Sequence, residues 1–113
     1  MLQTNLEHIE TEEQLTELIE NNERVAVCCG RMGPMCIPVY GIFEILQEKY
    51  PDVQFRDMDF DIPAAAIIRN LPECRKFWGL PYTVYYRNGK VVKATSSIQT
   101  AKQVKSIIDE VFM

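Results

Sequence analysis

The sequence has no apolar run approaching the roughly 18 residues that a membrane-spanning helix needs, so no membrane span is predicted. Its start, Met1-Leu2-Gln3-Thr4-Asn5-Leu6-Glu7-His8, has neither a basic stretch nor an apolar core, which argues against a secretory signal. A basic surface is also missing. Lys and Arg number 12 against 16 Asp and Glu, giving a net charge of −4, and a nucleic-acid partner is not expected. Repeats, low-complexity stretches and interdomain linkers are absent. There is one histidine, His8, in an acidic lead segment with no second ligand-type neighbour, so it reads as a surface residue. No cofactor is expected.

What is present fits one α/β domain over residues 1–113, with 1–10 as a lead segment. Thr11 and Gln14 form a capping box that opens a helix through Leu15, Leu18 and Ile19. The acidic run Glu7, Glu10, Glu12, Glu13 and Glu17 supplies its solvated side. Arg24-Val-Ala-Val-Cys-Cys29 is apolar without alternation, as in a strand covered on both faces. Gly30-Arg-Met-Gly-Pro34 breaks it. A second helix is predicted from about Met35 to Tyr50, with Val39, Phe43 and Leu46 on one stripe. Val53–Phe60 alternates and predicts a strand. Asp61 is expected to cap a helix over Ile62–Arg69, and Leu71–Phe77 to add a separate helical turn.

Asn88-Gly89 between the apolar runs Tyr82–Tyr86 and Lys90–Thr95 is a strong hairpin signal. A second capping box, Thr100 with Gln103, opens a closing helix over Ala101–Phe112. The order α-β-α-β-α-β-β-α predicts a central mixed sheet with helices on both faces.

This order, with Gly33-Pro34 after the first buried strand and Gly79-Leu80-Pro81 before the hairpin, resembles the thioredoxin family over about residues 10 to 113. The most specific stretch is Phe77-Trp-Gly-Leu-Pro-Tyr-Thr-Val-Tyr-Tyr-Arg-Asn-Gly-Lys90. The resemblance implies a thioredoxin-like fold, a cis Leu80-Pro81 bond facing the active-site loop, and thiol–disulfide exchange. It implies protein or peptide substrates and a thioredoxin-reductase-type reductant. The loop departs from the family. Where thioredoxins carry Trp-Cys-Gly-Pro-Cys, this chain reads Arg31-Met32-Gly33-Pro34-Met35-Cys36, and no C-x-x-C is formed. An ungapped match puts methionine at both redox positions; a one-residue shift puts Cys36 at the second and Gly33 at the first. The buried acid of the family falls at Ala26.

Four cysteines without an export signal read as thiols in a reducing cytoplasm rather than as a disulfide framework. Cys36 is the candidate nucleophile, because a helix start favours a thiolate. Its burial as a plug at the core rim is the alternative. Cys28 and Cys29 point to opposite sheet faces, and Cys29, if it faces the helix start, is the candidate partner of Cys36. Cys28 reads as a buried strand residue. Cys74 reads as partly exposed. Cys28, Cys29, Met32, Met35 and Cys36 also gather soft ligands suited to copper(I), but in no recognised ligand spacing, and no metal site is assigned. Two functions follow as expectations. One is an atypical thiol–disulfide oxidoreductase using Cys36 and Cys29. The other is a redox-inactive docking module that binds protein through Met32, Met35, Leu80 and Pro81.

Overall fold

The computed structural model describes residues 2–113. The elements run β1 (Glu7–Ile9), α1 (Glu12–Asn21), β2 (Arg24–Gly30), α2 (Ile37–Lys49), β3 (Gln54–Asp59), α3 (Ala66–Arg69), β4 (Tyr82–Arg87), β5 (Lys90–Ser96) and α4 (Ala101–Val111). A 3₁₀ turn, Pro63–Ala65, leads into α3, and a second, Pro72–Lys76, follows it. The five strands form one sheet in the order β1-β3-β2-β4-β5. β1, β3 and β2 are parallel; β4 and β5 join antiparallel. The mixed α/β architecture expected from the sequence is the one observed. None of the described helices is long and apolar enough to cross a membrane.

Both capping boxes form: Thr11 accepts from the Gln14 amide and Thr100 from the Gln103 amide, each at 3.1 Å. Thr11→Ala is expected to cost about 1 kcal/mol, read as a lower urea midpoint at unchanged m-value. The hairpin turns at Asn88 and Gly89 with φ of 54° and 80°. Two successive positive φ values suit a primed turn, whose twist matches the flanking strands.

The sheet separates two apolar layers. On one face, α2 and α4 cover Ala26, Cys28, Phe55 and Tyr85 with Tyr40, Phe43, Ile108 and Phe112, and Leu2 and Leu6 join the same layer. On the other, Leu15 of α1 and Ile68 of α3 cover Val25, Val27, Cys29, Met58 and Val84. β2 runs between the layers, and every residue from Val25 to Gly30 is buried.

Three sequence expectations need correction. The element order begins with a strand rather than a helix, because Glu7–Ile9 in the lead segment pairs with Arg56–Met58 as an edge strand. His8 is not a plain surface residue: its Nδ1 lies 2.5 Å from the fully buried Asp57 carboxylate. Asp61 does not cap the third helix, whose opening turn has Ile62 at the cap position without a side-chain bond. Its carboxylate is engaged by Arg31 instead.

Candidate active-site loop and groove

β2 ends at Gly30, and the chain must turn before α2 begins at Ile37. The turn is held locally: the Cys36 and Ile37 amides both donate to the Gly33 carbonyl, at 3.1 and 3.0 Å. Cys36 is the helix N-cap, but with φ −87° and ψ −43° it already has helical backbone. Its side chain is buried, with Cys36 only 3% exposed. The Arg31 amide donates to its Sγ at 3.4 Å, and the Tyr40 hydroxyl donates to the Arg31 carbonyl at 3.0 Å.

Gly30 makes this packing possible. A Cβ there would stand 2.8 Å from the Cys36 Sγ, 2.9 Å from the Tyr40 Oη and 3.1 Å from the Pro81 Cβ. One hydrogen atom's worth of space thus brings strand end, helix start and the Leu80-Pro81 bond together. That peptide bond is cis. Cys36 and Pro81 thus both border the notch left by Gly30.

The predicted partner of Cys36 is on the wrong side. Cys29 is fully buried in the α1/α3 layer, with the sheet between it and Cys36, so the expected Cys29–Cys36 bridge has no route. Strand alternation puts Cys28 in the Cys36 layer instead. Burial drives the Cys28 thiol well above its ordinary value, with the Thr83 hydroxyl acting the other way. Cys29 is pushed up by burial too, against the opposing charge of Arg69. Neither suits a thiolate. Cys74 is partly exposed in the Pro72–Lys76 turn, and desolvation raises it as well.

A groove of about 410 Å³ opens between the loop and the segment before β4; it is lined by Arg31, Gly33, Pro34, Met35, Cys36, Phe60, Phe77 and Leu80. Its floor is aromatic: Phe60 stacks on Phe77 at 5.5 Å, and Phe77 meets Tyr82 edge-on at 5.9 Å. The guanidinium groups of Arg31 and Arg69 lie 6.0 and 5.8 Å from the Phe60 ring centroid. Arg31 is fixed by a two-pronged bond to Asp61, at 2.7 and 2.8 Å, which holds the Asp61 carboxyl below its ordinary value. Of the four docking residues read from the sequence, Met35 and Leu80 line the groove. Pro81 does not line it and lies against Gly30. Met32 stands outside it, 41% exposed, its Sδ accepting the Gln3 amide at 3.4 Å. Trp78 is 75% exposed nearby in sequence.

Sequence reasoning missed Phe60, Phe77, the Arg31–Asp61 pair and the Gly30 notch. It also missed the buried Asp57, which accepts from the Thr4 hydroxyl and pairs with His8. Asp57 is register partner to Cys28, and so occupies the same sheet face as Cys36. Among the described residues no group of three His, Cys, Asp or Glu side chains could hold a metal ion.

No family model matches the sequence, and no curated protein does. Solved structures do. A Plasmodium falciparum thioredoxin superposes with a TM-score of 0.76 at 19% identity, covering 94% of this chain and 99% of that one. Mitochondrial thioredoxin 3 of Saccharomyces cerevisiae, in its oxidised form, gives 0.77 at 19% identity over 94% and 95%. Thioredoxin O2 of Arabidopsis thaliana gives 0.76 at 12% identity over 99% and 98%. Strand order, the cis Leu80-Pro81 bond beside the loop and these superpositions lead to one conclusion: the chain has the thioredoxin fold.

Proposed function

We propose that this chain is a docking module, which holds an extended apolar polypeptide segment between its Met32–Cys36 loop and the Leu80-Pro81 bond without dithiol turnover. One observation carries the reading. The sulfur presented at the loop surface is thioether, at Met32 and Met35, while the only thiol in the loop is 3% exposed. Its one companion on that sheet face, Cys28, is fully buried. Methionine side chains adapt to varied apolar partners, and the aromatic floor of Phe60 and Phe77 gives them a rigid counterpart. Resemblance adds that thioredoxins bind extended segments at this place.

A second reading attaches to Cys36, because its Sγ receives an N–H and packs toward Pro81. In it, the Cys36 thiolate attacks a substrate disulfide, one substrate sulfur leaves as thiolate, and an external thiol resolves the mixed disulfide. Cys29 takes no part.

The test is a panel of fluorescein-labelled nonapeptides with apolar residues at alternate positions, read by anisotropy. Met35→Asp or Leu80→Asp is expected to weaken the tightest of them roughly tenfold or more, since a carboxylate would be desolvated without a partner. Reduction of insulin disulfides by the parent chain, lost in Cys36→Ser, would favour the second reading instead.

A further inference from the structure

Thiols and thioethers are placed very differently in this molecule. Cys28 and Cys29 are fully buried and Cys36 nearly so, whereas Met32 and Met35 are 41% and 46% exposed. They stand at either end of Gly33-Pro34, where the chain turns toward α2. Met58, fully buried in the α1/α3 layer, shows the ordinary core use of methionine, and Met113 at the far end of the chain is 63% exposed. The two loop sulfurs also have defined surroundings. The Sδ of Met32 takes the Gln3 amide at 3.4 Å, and Met35 lines the groove beside Leu80 and Phe77.

We propose that Met32 and Met35 are a reversible oxidation site, at which a hypohalous acid converts both thioethers to sulfoxides and so releases a docked segment. The inference rests on the docking reading. A thioether lone pair attacks the oxygen of hypochlorous acid. The S–O bond forms, the O–Cl bond breaks, chloride leaves and the hydroxyl proton passes to water. Sulfur loses two electrons and the oxidant gains them. A reductase supplied with a dithiol reverses the change, taking the oxygen off as water while the dithiol becomes a disulfide.

The consequences follow from geometry. A sulfoxide at Met35 places a strongly polar oxygen on the apolar side of the groove, where a docked segment would strip it of water. Arg31, the cation at that rim, is committed to Asp61 through both arms of its guanidinium. At Met32 the sulfur accepts the Gln3 amide at 3.4 Å, and an oxygen added on that side becomes the acceptor in its place and sets loop and lead segment further apart.

The experiment treats the full chain with graded hypochlorous acid, maps each methionine by peptide mass spectrometry, and measures the tightest-binding nonapeptide by anisotropy on the same samples. Met32 and Met35 are expected to gain one oxygen each at least as readily as Met113, with Met58 unmodified and so reporting an intact fold. Affinity should fall roughly tenfold or more, and return after treatment with methionine sulfoxide reductase and dithiothreitol. In the Met32→Leu, Met35→Leu double variant the ratio of affinities before and after oxidant should stay near one, whatever its starting value. Affinity unchanged once both sulfurs are fully oxidised overturns the switch and leaves docking intact. An untreated chain that binds no peptide of the panel overturns the docking reading, and the switch with it.

Discussion

Gly30→Ala is expected to destabilise the fold by about 2–3 kcal/mol, the upper part of the range for inserting a methyl group into a packed site. The added Cβ would lie within 3.1 Å of three groups from three segments, the Cys36 Sγ, Tyr40 Oη and Pro81 Cβ. None can withdraw freely. The Tyr40 hydroxyl is bonded to the Arg31 carbonyl, Pro81 is a rigid ring, and the buried Cys36 sulfur accepts the Arg31 amide. Removing that sulfur should recover part of the loss. In a double-mutant cycle with Cys36→Ala, measured by urea unfolding, a coupling of about 1 kcal/mol is expected. Additivity would mean that the sulfur is not where the Gly30 notch places it.

Asp57→Ala should cost about 3 kcal/mol, because a fully buried carboxylate that accepts from Thr4 and pairs with His8 is removed. The loss would also loosen the lead segment, which Thr4 and His8 tie to β3. Asp57→Asn separates shape from charge. Burial raises the Asp57 carboxyl above its ordinary value, with the Thr4 and His8 contacts opposing. The folded chain therefore binds this proton more readily than the unfolded chain does. Wild type should gain stability relative to Asp57→Asn as pH falls through the raised folded value, complete below the unfolded value of about 3.9. That advantage is lost as pH rises. Asp61, held low by Arg31, runs the opposite way, so the two chains must be compared at each pH rather than wild type alone.

Local signals were read correctly, and signals that depend on distant chain were not. Thr11 with Gln14, Thr100 with Gln103, and Asn88-Gly89 each act within four residues, and each does what its chemistry dictates. The unbroken apolar run of β2 announced a strand covered on both sides. By contrast, Glu7–Ile9 becomes a strand only because Arg56–Met58 lies alongside, and a three-residue segment carries too little pattern to show that. Asp61 has the chemistry for a cap, but the helical turn starts one residue later, with Ile62 at the cap, and an arginine 30 residues away holds the Asp61 carboxylate instead. Alternation established that Cys28 and Cys29 face apart. Which of them faces α2 depends on how the helices divide between the sheet faces, and that division put Cys28 beside Cys36. Cys36, at the N-cap, has helical rather than the usual extended backbone and is buried, and neither is announced by the residues around it.

This loop offers the solvent thioethers and withholds its thiol. Timed alkylation of the native chain with iodoacetamide, resolved by peptide mass spectrometry, tests it directly. Cys74 should react first, and Cys28, Cys29 and Cys36 only as fast as the whole chain unfolds. Modification of Cys36 in the folded chain at the rate of Cys74 or faster would contradict the account.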